Sequence, residues 1–170
     1  TAPTAEDLKN DVLRTKQMGF NTIRKHVKIE DPIEYYWADK LGVMVWADMP
    51  NPDLRSCNTE TVDAVNTPAP GRVHYEYALE KMLERDYNHP SIIAVVLFNE
   101  TWGIKHGYLQ ASEDGMTTDE WIAYLYERCK TLNPNLLVED MSATWNDHIQ
   151  PTDLNTFHFY TKSFGSMKKK

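Results

Sequence analysis

The stretch IIAVVLFNETWG, residues 92–103, passes from an unbroken apolar run into Asn99, Glu100 and Trp102. The apolar part is rich in β-branched residues and shows no polar alternation, which predicts a strand with both faces covered, as in a parallel sheet flanked by helices. Ligands meet the carboxyl ends of such strands. Asn99 and Glu100 are therefore candidates for chemistry, although a polar strand-to-loop transition facing water would look the same.

Helical and extended patterns alternate along the rest of the chain. Gly19 and Gly42 each follow a helical pattern and precede a strand, and Thr117 with Glu120 predicts a capping box. The predicted helices cover residues 4–18, 31–41, 73–91 and 117–133, and the predicted strands cover 20–27, 43–50, 92–98, 135–142 and 154–160. This order favours a parallel α/β architecture with two long loops, 51–72 and 103–116.

Polar side chains recur where these predicted strands end. They are Arg24, His26, Asp48, Asn99, Glu100, Asp140, His158 and Tyr160. No glycine-rich phosphate turn of a dinucleotide-binding fold is present, whereas a TIM barrel builds its site from many strand ends at one mouth. A complete barrel has eight strands in about 250 residues. We therefore predict a partial (β/α)8 TIM barrel, from the first helix to about the sixth strand. Residues 1–170 would form this single domain within a longer multidomain chain.

Composition excludes several other classes of protein. The 170 residues are 41% hydrophobic and 25% charged, with a net charge of −7. This is a globular composition, and no basic stripe outside the terminal lysines predicts nucleic-acid binding. No apolar run approaches the roughly 20 residues that cross a bilayer. No cysteine and histidine spacing suggests zinc, so we predict no metal or other cofactor.

Four segments carry a family resemblance: GFNTIRKHV (19–27), YYWADKLGVMVWADMP (35–50), RDYNHPSIIAVVLFNETWG (85–103) and DLNTFHFY (153–160). In order and spacing they resemble the catalytic barrel of glycoside hydrolase family 2, which includes β-galactosidases, β-glucuronidases and β-mannosidases. The resemblance implies a retaining β-glycoside hydrolase. It also implies that Glu100 is the general acid/base, that Asn99 holds the sugar's 2-hydroxyl, and that Arg24 matches the family's second-strand arginine.

The resemblance also has gaps. The family's nucleophile is a second glutamate after the seventh strand, which has no counterpart in this chain. The family's arginine and histidine spacing on the second strand differs here, so no role passes to His26. Because the acid must be protonated near neutral pH, we expect burial to raise the pKa of Glu100.

Other residues are predicted to contact the substrate. Trp102 and Trp145 could stack on sugar rings or simply pack. Asp48 and Asp140 are the remaining carboxylates at strand ends. His158 and Tyr160 share one face of the predicted last strand.

The expected partners are an oligo- or polysaccharide substrate and the remaining domains of the parent chain, with a homo-oligomer left open. Nothing in the sequence identifies a compartment, although a bacterial periplasmic or extracellular location would suit the parent. Two alternatives stay open. One is another retaining (β/α)8 glycosidase family, and the other is a non-catalytic carbohydrate-binding barrel without a nucleophile.

Overall fold

The computed structural model describes residues 2–50, 69–100, 116–142, 151–158 and 160. Helices and strands alternate in these residues, in the order α1 (Ala5–Gln17), β1 (Thr22–Lys25), α2 (Pro32–Leu41), β2 (Met44–Asp48), α3 (Ala69–Asp86), β3 (Ile92–Asn99), α4 (Thr118–Leu132) and β4 (Leu137–Ser142). All four strands are parallel and lie in the order β1-β2-β3-β4. Sequential parallel strands joined by helices form the wall of a TIM barrel, so the predicted partial barrel is confirmed.

The helix ends follow the predicted signals. Thr4 and Asp7 form a capping box at the start of α1, and Thr117 and Glu120 form another at the start of α4. Gly42 follows α2 with φ +66°, a left-handed conformation that a side chain would strain. These local signals set where each helix stops and lets the chain enter the sheet.

Strand β3 is covered on both faces, as its lack of polar alternation predicted. Its residues 94–98 are at most 1% exposed. One apolar cluster packs α3 and α4 against β2, β3 and β4, with Trp121 and Leu79 fully buried in it. A second cluster packs α1 and α2 against the sheet through Val12 and Tyr35. Burial of this apolar surface, at about 25 cal/mol per Å², holds the strands in register.

The predicted fifth strand over 154–160 is wrong for the described residues 151–158, which form no strand. Asp153 N–H donates to Val138 O at 2.8 Å. Side chains then take the neighbouring N–H groups of β4, because Val138 N–H donates to Asp153 Oδ2 at 2.9 Å and Asp140 N–H donates to Thr152 Oγ1 at 3.2 Å. These oxygens occupy donors that the carbonyls of a paired strand would use.

Helix α3 begins at Ala69, four residues before the predicted start, so the loop expected at 51–72 is shorter. Arg72 explains this extension. Its side chain is buried, its guanidinium lies 5.0 Å from the centre of the Trp121 ring, and Nη1 donates to Met116 O at 2.9 Å. These contacts with α4 and its preceding residue are tertiary, and helix propensity alone does not reveal them.

Candidate active site

Polar side chains from three strand ends and from the segment after β4 meet in one hydrogen-bonded group. We call this group the strand-end cluster, and its members are Arg24, Asp48, Asn99, Glu100, His158 and Tyr160. The alternation of helices and strands puts the carboxyl ends of β1, β2 and β3 at the same edge of the sheet. The structure therefore brings together six of the nine predicted site residues.

Arg24 connects the cluster. Its Nε donates to Asp48 Oδ1 at 3.0 Å and its Nη2 to Asp48 Oδ2 at 2.8 Å, a bidentate ion pair between neighbouring strands. Nη2 also donates to Asn99 Oδ1 at 3.0 Å. Because a guanidinium only donates, this contact orients the amide with Oδ1 toward Arg24 and Nδ2 away from it. Arg24 Nη1 lies 3.3 Å from His158 Nε2.

Asp48 also holds the turn that follows β1. The carboxylate is fully buried, and its Oδ2 accepts from the Val27 N–H at 3.1 Å and lies 3.3 Å from His26 Nδ1. Val27 has φ +53°, which is rare for a β-branched residue. Backbone strain of this kind, on the order of 1–3 kcal/mol, persists where surrounding contacts overdetermine the conformation. Sequence reasoning missed this strained turn, and no local signal at Val27 predicts it.

Glu100 follows β3 in a strained conformation, with φ +53°. Its N–H donates to Ser142 O at 2.9 Å, which ties it to the end of β4. Its side chain is 14% exposed, and Oε1 lies 2.6 Å from His158 Nδ1 and accepts a hydrogen bond from the Tyr160 hydroxyl. The backbone and both contacts therefore aim one carboxylate at the position where the strand ends converge.

The expected direction of the Glu100 pKa is wrong in this structure. Burial works to raise the pKa of Glu100, as predicted, but the hydrogen bonds from Tyr160 and His158 outweigh it, and the pKa is lowered. Donors to an ionised carboxylate stabilise its charged form. The same contact raises the pKa of Tyr160, because its hydroxyl proton is held by Glu100.

A chain of hydroxyl groups lies beside His158. Ser142 Oγ is 3.4 Å from His158 Nε2 and 3.1 Å from Thr156 Oγ1. Thr156 in turn donates to the buried carboxylate of Glu139. Sequence reasoning missed these three residues. The signal available was their position, because Glu139 and Ser142 lie in β4 and Thr156 stands two residues before His158.

The three other predicted site residues are not in the cluster. Asp140 lies inside β4, two residues before its end, and is fully buried. Trp102 and Trp145 lie outside the described residues.

A separate ion network lies on the neighbouring residue of β1. Lys25 Nζ is 2.8 Å from both Glu30 Oε2 and Glu34 Oε1, and Lys28 Nζ is 2.8 Å from Glu30 Oε2. Burial works to raise the pKa of Glu30, but the hydrogen bonds from Lys25 and Lys28 prevail and lower it to about 2. Burial raises the pKa of Glu34. This network braces the connection that carries His26 and Val27, and sequence reasoning missed it.

Two further searches cover the described part of the chain only. No group of three His, Cys, Asp or Glu residues there is placed to hold a metal ion. None of the helices there combines the length and apolar character needed to cross a membrane.

Comparison with known proteins agrees with this architecture. The family described as "Glycosyl hydrolases family 2, TIM barrel domain" matches residues 2–169. A putative β-glucuronidase of Formosa agariphila is 27% identical over 125 residues, covering 70% of this chain and 13% of the relative. A β-galactosidase of Pectobacterium atrosepticum is 30% identical over 107 residues, covering 61% of this chain and 10% of the relative.

A solved structure shows the same fold. The β-glucuronidase of Bacteroides uniformis superimposes with a TM-score of 0.61 and 26% identity, covering 83% of this chain and 16% of that one. The chain thus spans less than a fifth of the length of these relatives. The family match covers nearly every residue, and the chain belongs to family 2 of the glycosyl hydrolases, as part of its TIM-barrel domain.

Proposed function

We propose that this chain forms part of the active site of a retaining β-glycoside hydrolase in which Glu100 is the general acid/base. The observation that carries the proposal is the placement of Glu100. It follows a fully covered strand with φ +53°, and its Oε1 is held by His158 and Tyr160 within the strand-end cluster. Strained backbone held by several contacts is concentrated at functional sites.

In the proposed reaction, Glu100 gives its proton to the glycosidic oxygen as the bond from that oxygen to the anomeric carbon breaks. A second carboxylate, supplied from outside this chain, forms a new bond to the anomeric carbon. Water then attacks that carbon while Glu100 takes one of its protons, and the second carboxylate leaves. Two displacements at one carbon retain its configuration.

The lowered pKa of Glu100 suits the second half of this reaction, in which it acts as a base. The first half needs a protonated Glu100. A nucleophilic carboxylate about 5–5.5 Å away would raise the pKa of Glu100 through repulsion between like charges. The two carboxyl groups would then titrate as a coupled pair.

The other cluster members have supporting roles in this proposal. Arg24 fixes the Asn99 amide, so that Nδ2 can donate to a hydroxyl of the sugar next to the scissile bond. Asp48 holds Arg24 in place. Trp102, Asp140 and Trp145 stay predicted substrate contacts. Relatives and neighbours named as β-glucuronidase, β-galactosidase and β-galacturonidase support a pyranoside or uronide substrate without choosing between them.

The coverage of the relatives supports the proposal that the chain is one piece of a longer multidomain glycosidase. The four strands among the described residues are half of a closed barrel. We therefore propose that the 170-residue chain is inactive alone and acts with the remaining domains.

Glu100→Gln in the full-length protein tests the role of Glu100. Hydrolysis of substrates with alkyl or sugar leaving groups should fall by about 10²–10⁴-fold, the usual contribution of general acid–base catalysis. A nitrophenyl leaving group needs no proton, so formation of the glycosyl-enzyme should suffer much less. Azide should then restore turnover and give a β-glycosyl azide of retained configuration.

Glu100→Asp is the matched control, because it keeps the acid but shortens its reach. It should retain some activity on poor leaving groups without azide. Equal loss on all leaving groups with no azide rescue would show that Glu100 is structural or is itself the nucleophile. Saccharide binding without turnover by the wild-type protein would favour a non-catalytic module.

A further inference from the structure

His158 stands between the proposed acid/base and the arginine that organises the cluster. Its Nδ1 lies 2.6 Å from Glu100 Oε1, and its Nε2 lies 3.3 Å from Arg24 Nη1. The side chain is 24% exposed, so the ring is held mainly by protein groups. Each ring nitrogen therefore faces a partner whose hydrogen-bonding character is known.

These partners decide which nitrogen carries the proton. Arg24 has donors and no acceptor, so Nε2 accepts its hydrogen bond only through an unprotonated lone pair. A neutral imidazole with an unprotonated Nε2 carries its proton on Nδ1. Nδ1–H is then placed to donate to the Glu100 carboxylate at 2.6 Å.

The neighbouring hydroxyl groups are consistent with this assignment. Thr156 uses its proton on Glu139, so Ser142 is the donor in its 3.1 Å contact with Thr156. Ser142 then has no second proton for His158 Nε2, from which it is 3.4 Å away. It could only accept from a protonated Nε2, and that proton would face the Arg24 guanidinium.

We propose that His158 is a positioning residue that works as a neutral Nδ1–H donor to Glu100 Oε1, locked in that tautomer by Arg24. This inference rests on the proposed acid/base role of Glu100 and adds which atom moves the proton. Oε1 already accepts from His158 and Tyr160, which use its two lone pairs. The proton that Glu100 transfers is therefore carried on Oε2.

The charged groups around His158 set opposing influences on its ring. The Arg24 cation faces Nε2 and disfavours a proton there, while the Glu100 carboxylate faces Nδ1 and favours one there. Glu139 acts only through the Thr156 and Ser142 hydroxyls, and Asp48 acts through Arg24. Their combined arrangement keeps one proton on the ring and keeps it on the Glu100 side.

The direct test is ¹⁵N NMR of histidine-labelled full-length protein at about pH 7, where histidine protonation states interchange. The His158 signals are identified by their loss in His158→Asn. Nδ1 with a protonated-type shift and Nε2 with an unprotonated-type shift would support the proposal. Protonation of Nε2, in the other tautomer or in an imidazolium, would overturn it. This measurement needs no activity. The expected tautomer in a protein without glycosidase activity would contradict the role of Glu100 and leave the hydrogen-bond assignment standing.

A second test uses the pH dependence of kcat/KM, whose basic limb reports the acid form of the free enzyme. His158→Phe removes the donor, so the basic limb should move up by about one pH unit, as expected when a donor to a carboxylate is lost. His158→Asn places an N–H₂ group near the Nδ1 position and should keep the wild-type limb. His158→Gln, whose amide reaches the Nε2 position instead, should resemble His158→Phe. Equal limbs in all three variants would overturn the positioning role.

Discussion

Arg24 and Asp48 join two neighbouring strands through a bidentate ion pair, with Nε to Oδ1 at 3.0 Å and Nη2 to Oδ2 at 2.8 Å. The carboxylate is fully buried and the arginine side chain is 26% exposed. The same arginine contacts Asn99 and His158, so the pair connects the packing of the sheet to the proposed catalytic group. Residues that orient Glu100 and residues that stabilise the strand ends are thus largely the same.

The first prediction concerns this pair. Asp48→Ala should lower the free energy of unfolding by about 3–5 kcal/mol, because removing one partner leaves the other charge without its buried counterpart. It also removes the acceptor of the Val27 N–H. Urea unfolding followed by circular dichroism measures the change. Glu6→Ala is the matched control, since it breaks an exposed 3.4 Å pair with Lys9 and should cost less than about 1 kcal/mol. Similar losses in both variants would contradict the prediction.

The second prediction concerns backbone strain at Val27. Val27→Gly and Val27→Ala both remove the branched side chain, but only glycine accepts φ +53° without a clash. The glycine variant should therefore be more stable than the alanine variant by about 1–2 kcal/mol, the cost of a left-handed conformation for an L-residue. Elsewhere glycine is normally the less stable of the two. Thermal unfolding of the two variants decides the sign, and a more stable alanine variant would show that the turn relaxes.

The third prediction concerns acid stability and the Lys25, Glu30 and Glu34 network. The pKa of Glu30 is lowered to about 2 in the folded chain, so its stabilising contribution is present above its unfolded pKa of about 4.5 and is lost as pH falls toward 2. Glu30→Gln should flatten the loss of Tm over that interval. Glu34→Gln should keep that loss, because burial shifts the Glu34 pKa upward. Equal acid sensitivity in wild type and Glu30→Gln would exclude Glu30 as its source.

The fourth prediction concerns the chain by itself. The purified 170-residue chain should not hydrolyse a nitrophenyl β-glycoside, because the proposed nucleophile and the closure of the barrel come from elsewhere. An open parallel sheet also presents strand edges that a closed barrel removes, which favours self-association. Size-exclusion chromatography and an aryl-glycoside assay check both points. A well-behaved monomer with turnover comparable to the full-length protein would refute the proposed division of the site.

The candidate site was partly predictable because a parallel sheet has a fixed geometry. Once the chain is known to alternate helix and strand, polar residues at strand ends must share one edge, and Arg24, Asp48, Asn99 and Glu100 do. His158 and Tyr160 also reach the site, although the strand predicted to carry them does not form in residues 151–158. Their inclusion follows from contacts with Glu100 and does not depend on strand parity.

The sequence by itself determined the order of the elements, their caps and the coverage of β3, because these depend on side-chain periodicity and on groups within a few residues. Thr117 with Glu120 and the apolar run 92–98 show this. Only the tertiary structure decided the direction of the Glu100 pKa, the strain at Val27 and the hydroxyl chain beside His158. Each depends on distances between atoms far apart in the chain. A balance between desolvation and hydrogen bonding changes sign with those distances, and no local pattern records them.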